Sequence, residues 1–169
     1  MKMGNTIENL KAAFAGESQA SRKYTYFAEK ADKEGQPQIA RLFRAAAEAE
    51  TVHARNHLKV LKGIVTTVEN LKTAISGEFY EMTEMYPDFI AKAKTDKDEP
   101  AETSFDLANK VEKVNHGLYH QALKDLEAAK KAPIKPFYVC QVCGNTVEGE
   151  APDRCPICGA TRNLFKKVE

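Results

Sequence analysis

Cys140-Gln-Val-Cys143 and Cys155-Pro-Ile-Cys158, separated by 11 residues, hold every cysteine of a 169-residue chain. Each pair can form one knuckle whose two thiolates point at a single ion. Two facing knuckles make a four-thiolate tetrahedron, the geometry of a mononuclear iron or a structural zinc site. Gly144 and Gly159 each follow a pair directly, where the turn around a metal needs positive φ and an amide free to face sulfur. Two disulfides are the alternative, but paired Cys-x-x-Cys knuckles at this spacing read as a metal site. The tail, Pro136 to Glu169, does not choose its metal. Iron would make it an electron carrier and zinc a clip, so the residues before it decide.

Those residues are enough for one good domain ahead of a small one. Hydrophobic content is 43%, sufficient for a core, and the formal charge is +1. A balanced charge gives no sign of nucleic acid or of an acidic membrane surface as partner. One metal site accounts for all the cysteines, which suits a reducing compartment. The first ten residues lack the apolar stretch of a signal peptide, and no run approaches the ~20 residues of a membrane span. The expectation is a cytoplasmic protein.

Helical periodicity runs through most of the chain. Residues 6–33 read as a first helix, with Thr6 as N-cap, Asn9 as an imperfect capping partner and Gly35 as the stop. Residues 37–62 read as a second, opened by Pro37 and closed by Gly63. Residues 63–69 form a connection too long for a tight turn. A third helix covers 70–95 and contains Pro87, which removes a backbone bond to Thr83 and predicts a kink or bulge. After a polar turn, 101–131 read as the fourth. The fold class is therefore an all-α four-helix bundle, ferritin-like with one long crossover. A small four-cysteine β/loop domain follows. The boundaries are 1–132 for the bundle, 133–136 for a proline-bearing linker and 137–169 for the tail domain.

Acidic residues stand where a bundle interior should be apolar. Glu17 lies among small and apolar neighbours. Glu50 and His53 form Glu-x-x-His, ~4.5 Å apart along the axis, so both can reach one metal. The third helix offers Glu78, Glu81 and Glu84, and the fourth offers Glu112, followed by Asn115 and His116. One Glu from each of two helices and a Glu-x-x-His from each of two others is the di-iron carboxylate recipe. The fourth helix departs from it: Asn115 stands three residues after Glu112, and His116, one further on, is the candidate nitrogen ligand. Carboxylates neutralise and bridge two iron ions, and a bridged pair suits a substrate whose O–O bond must accept two electrons. Tyr24, two turns from Glu17, and Tyr86, beside Glu84, are candidates for phenols hydrogen-bonded to ligating carboxylates.

With these motifs in hand the chain resembles the rubrerythrin family. Ala13-Phe-Ala-Gly-Glu-Ser-Gln-Ala20, Glu50-Thr-Val-His53, Glu81-Met-Thr-Glu84-Met-Tyr-Pro87 and the cysteine tail carry the resemblance, which spans essentially the whole chain. It implies a di-iron bundle ligated by Glu17, Glu50, His53, Glu81, Glu84 and Glu112, with His116 displaced by one position and Glu78 outside the ligand set. Glu50 and Glu112 would bridge, and Glu17 and Glu81 would be terminal. One iron would shift between His53 and Glu84 with redox state. It implies a second, mononuclear iron on Cys140, Cys143, Cys155 and Cys158, with zinc a possible substitute in recombinant protein. It implies reduction of hydrogen peroxide to water, with electrons from NAD(P)H through a reductase or rubredoxin. It also implies a homodimer. The linker looks too short to lay the tail over its own bundle, so a head-to-tail dimer is the expected route between the two iron sites. A ferroxidase or O2-reducing relative and a zinc-ribbon interaction module are the competing functions.

Overall fold

The computed structural model describes residues 5–129 and 133–168. The first four residues, positions 130–132 at the expected end of the bundle, and Glu169 lie outside the described residues. The chain divides into two compact units, one up to Val65 and one from Thr66.

The first unit is a helical hairpin, α1 (Thr6–Lys33) and α2 (Pro37–Val60). The cap of α1 is Asn5, not Thr6. The Asn5 side chain accepts from the Glu8 amide at 2.9 Å, and Glu8 accepts from the Asn5 amide at 3.0 Å. The capping box thus sits one residue earlier than the sequence suggested, with Glu8 as the reciprocal partner of Asn5. Gly35, at φ 70°, turns the chain, and Pro37 opens α2 as expected. The hairpin packs through small residues. Ala28, Ala31 and Ala40 are buried with Phe43 against them, and Ser21 and Thr51 share a hydroxyl hydrogen bond of 2.9 Å. Alanine contacts let the two helices approach closely, and Tyr24, Phe27 and Phe43 stack beside them with ring centroids 5.5–6.2 Å apart.

Helix α2 stops at Val60, two residues before the expected end. Lys62 takes φ 56°, and the Gly63 amide donates back to the Leu58 carbonyl at 2.9 Å. That closure is a helix-ending turn.

The second unit begins with α3 (Thr67–Tyr80), a π-helical turn (Glu81–Met85) and α4 (Tyr86–Asp96), which follow one another as one rod. It starts three residues before Asn70 because Thr66 and Glu69 form a second capping box. The predicted disturbance at Pro87 takes the form of the π turn immediately before it. The Tyr86 amide reaches back five residues to the Glu81 carbonyl, since the helix must widen where the proline ring cannot donate. Helix α5 (Glu99–Glu127) is capped by Asp98, with Pro100 in its first turn. The expected class, four helical segments followed by a small four-cysteine region, is what the chain adopts.

The tail is a three-stranded antiparallel sheet in the order β2-β1-β3, from β1 (Phe137–Cys140), β2 (Thr146–Glu148) and β3 (Phe165–Val168). It lies on α5. A Cβ on Gly144 would stand 3.9 Å from Val111 Cγ1, and Phe137 and Thr146 share a pocket with Asn115, Leu118 and Tyr119. The linker was expected to be too short to lay the tail over its own bundle; the tail packs on α5 of its own chain, a helix that ends at Glu127.

Candidate metal centres

In the tail, the two knuckles repeat one backbone pattern. Gly144 donates to the Cys140 carbonyl at 2.8 Å and Gly159 to the Cys155 carbonyl at 2.9 Å. Both glycines have positive φ, 83° and 77°. The sulfur pairs Cys140–Cys158 and Cys143–Cys155 stand 3.7 and 3.6 Å apart, and all four lie within 4.8 Å of one another. A tetrahedron with metal–sulfur bonds of ~2.3 Å has edges of about 3.8 Å, so the sulfurs already occupy its corners. Disulfides are excluded at these distances. Burial pushes the Cys143 and Cys158 thiols up. Burial opposes ionisation of Cys155 too, but the Cys158 and Ile157 amides aimed at its sulfur bring it down to about 7. Four thiolates cannot coexist here without a cation, so a bound metal supplies the charge that burial withholds.

The first unit gathers Glu17, Glu50 and His53, whose ligand atoms fall within 4.8 Å of one another. Glu17 comes from α1 and the other two from α2. His53 Nδ1 lies 2.9 Å from Glu50 Oε2, which is the mutual reach that the i,i+3 spacing promised. Tyr24 stands with Phe27 and Phe43.

The second unit gathers Glu78, Glu81 and Glu112 within the same limit. Glu84 is not among them and is exposed. The π turn explains the exchange: its wider ring carries one more residue per turn, so Glu84 is swung off the face that Glu78 and Glu81 share. Glu78, which the resemblance left outside the ligand set, lies in this group. Its Oε2 is buried without a hydrogen-bond partner. Burial, then Glu112 and Glu81, raises its carboxyl to about 8. Burial and Glu112 also raise Glu81. Crowded, desolvated carboxylates of this kind fit a cation that is needed to neutralise them. The helical spacing of Glu78, Glu81 and Glu84 offered all three, and it was the family resemblance that left Glu78 outside the ligand set.

In the metal-free chain Glu78 has a sign that can be checked. Its folded value lies above the ordinary 4.5, so the folded state holds a proton that the unfolded chain gives up. Stability therefore falls as pH rises from about 4.5 to about 8 and levels off beyond. Thermal melting of chelator-treated protein should show that decline, and Glu78→Gln should flatten it.

On α5, Asn115 Nδ2 donates to Glu112 Oε2 at 2.9 Å, which places the amide where a Glu-x-x-His histidine would stand. His116 is turned instead toward Phe79 and His120, with ring centroids 5.9 and 5.5 Å away. The structure thus does not bring His116 to the carboxylates. Asn115→His should tighten ferrous binding by about tenfold, a lower bound for ligand-shell changes, while His116→Ala should leave it unchanged. Titration with Fe(II) under nitrogen reads both.

Tyr86 packs on Phe89 and Phe105. Burial, followed by Glu112, Glu81 and Glu78, raises its phenol, so it stays protonated beside the carboxylates. Among the described residues no helix is long and apolar enough to cross a membrane.

These sites define a class: a helical carboxylate–histidine metalloprotein carrying its own four-thiolate domain. Comparison with known proteins narrows it. The rubrerythrin family model matches residues 8–124, and the model for the rubrerythrin, rubredoxin-like domain matches 138–166. Rubrerythrin-2 of Clostridium acetobutylicum is 34% identical, with 98% of each chain covered. Nigerythrin of Nitratidesulfovibrio vulgaris is 36% identical over 96% of this chain and 86% of its own. A solved structure described as the fully reduced, all-ferrous state of nigerythrin aligns with 99% of this chain and 89% of that one, at 35% identity and TM-score 0.58. The chain belongs to the rubrerythrin family, and is a di-iron protein with a rubredoxin-like domain.

Proposed function

We propose that the chain is a cytoplasmic peroxidase that reduces hydrogen peroxide to water, drawing electrons from NAD(P)H through a reductase or rubredoxin. The observation that carries this is the presence, in one chain, of a Glu17–Glu50–His53 cluster, a three-carboxylate cluster and four preset thiols. When bound, the iron pair supplies two electrons to an O–O bond and the four-thiolate iron returns them singly. Glu17, Glu50 and His53 would hold metal from α1 and α2. Glu81, Glu84 and Glu112 would hold metal from the second unit. Tyr86, whose phenol burial and the neighbouring carboxylates raise, would keep a proton beside those carboxylates, where departing oxygens must be protonated. Tyr24, among aromatics, shapes the surroundings of Glu17. The tail needs no long excursion, because Gly144, next to Cys143, faces Val111, next to Glu112. The active form is a homodimer.

The test is NAD(P)H consumption in the presence of a rubredoxin and its reductase, with peroxide or O2 as oxidant. Faster consumption with peroxide is the expected result. Consumption with O2 alone, or ferrous oxidation without it, would move the chain to the O2-reducing or ferroxidase function. A colourless zinc form with no turnover in either assay would move it to the interaction module.

A further inference from the structure

Two imidazoles on α5 belong to neither of the metal centres described above. The Asn115 amide faces Glu112, and His116, the next residue, is turned about 100° further round the helix. His120 follows one turn later on that same side, its ring centre 5.5 Å from that of His116. Phe79 of α3 holds the His116 ring from across the pair of helices, at 5.9 Å. Both imidazoles line a cavity walled by Ile75, Phe79 and Leu123. All of these residues lie in the second unit. Among the described residues neither imidazole makes a hydrogen bond or an ion pair; their contacts are with rings.

Ring nitrogens beside an apolar wall are short of partners, and an unpaired polar group there is costly. Two histidines four residues apart on a helix can both reach one ion. The spacing of the rings agrees with that use. Zinc–nitrogen bonds are ~2.0–2.1 Å, so a tetrahedral zinc would hold two imidazole centres about 5.2 Å apart. His116 is half-buried and His120 exposed, so a small rotation of the His120 ring closes the difference. Neutral imidazoles suit zinc and its neighbours, whereas magnesium and calcium ask for carboxylates. Among the described residues no carboxylate or cysteine joins the pair, which leaves the other positions to water. The Lys72 ammonium on the cavity wall is paired with Glu127 at 3.7 Å, so its charge is offset.

We propose that His116 and His120 form a further metal site, a two-imidazole chelate for a divalent transition ion such as zinc, with water completing the shell. The site is separate from the carboxylate clusters and from the four thiols. It stands or falls independently of the peroxidase function given above. An ion held there ties two successive turns of α5 together and fixes His116 against Phe79. It binds the folded chain and not the unfolded one, so it stabilises the fold by mass action.

Equilibrium dialysis of the full chain against Zn(II) under nitrogen reads this site. At a concentration that saturates the wild type, His120→Ala and His116→Ala should each hold one zinc fewer per chain. The affinity lost at that site should be about tenfold or more, since even outer partners of a ligand cost that much. The comparison does not depend on how many zincs the carboxylates take. In a Glu50→Gln background, which weakens the carboxylate centre, adding His120→Ala should remove the same single zinc. His120→Cys replaces one zinc ligand by another and should keep the ion. It also separates ligation from folding, because an alanine chain that lost zinc by misfolding would leave the cysteine chain to decide. Equal zinc content in the wild type and the two alanine chains would overturn the proposal. So would a His120→Cys chain that loses the zinc as His120→Ala does.

Discussion

Replacing Cys155 by serine should abolish steady-state peroxide turnover while sparing one reaction of chemically reduced protein with peroxide. Cys155 is buried, and although burial opposes its ionisation, the Cys158 and Ile157 amides bring its thiol down to about 7. It stands 3.6 Å from Cys143. A serine hydroxyl at that corner does not ionise at neutral pH, and a soft thiolate site loses its fourth ligand. The fall in turnover should exceed the ~10–100-fold that loss of an outer hydrogen-bond partner costs a metal site. The helices do not depend on this residue, so far-ultraviolet circular dichroism should be nearly unchanged. Stopped-flow oxidation of the dithionite-reduced variant separates the steps. One normal fast phase without turnover places the tail as the electron relay. Normal turnover would remove the tail from the reaction.

Glu50→Gln should remove both phases. Glu50 is half-buried, sits within ligand reach of Glu17 and His53, and lies 2.9 Å from His53 Nδ1. An amide keeps the shape but removes the charge, and hard cations held by carboxylates lose their principal counter-charge. Metal affinity and turnover should each fall by more than ~100-fold, beyond the range for outer-shell partners. Glu48→Gln, at an exposed site on the same helix, is the control and should change neither. Equal loss in the control would mean that bulk charge, not ligation, is being measured.

The parts of this molecule that were legible in sequence are those set by local spacing. The Cys-x-x-Cys knuckles with Gly144 and Gly159 need only the residues between them, and the sulfurs stand at tetrahedral distances. The bulge before Pro87 follows from a missing donor. Helix starts were misplaced where a short polar residue outside the apolar repeat forms the cap, as Asn5 does with Glu8 and Thr66 with Glu69. The grouping of Glu78, and not Glu84, with Glu81 and Glu112 in the metal-free chain was not legible, because it depends on the phase the π turn imposes on residues after Glu81. Nor was the position of the tail, which depends on where α5 stops. Asn115 was visible as a departure, and the structure adds what the departure does: it hydrogen-bonds Glu112 while His116 turns to Phe79.

The central claim is that a di-iron centre and a four-thiolate iron work together on peroxide. The visible spectrum and metal content of anaerobically purified protein test it most directly, before and after peroxide is added to the dithionite-reduced form. A red protein with about three irons per chain, one at the four-thiolate site and two at the paired site, whose colour returns on peroxide addition, is the predicted result. A protein that takes up iron at both sites but stays bleached when peroxide is added would contradict it.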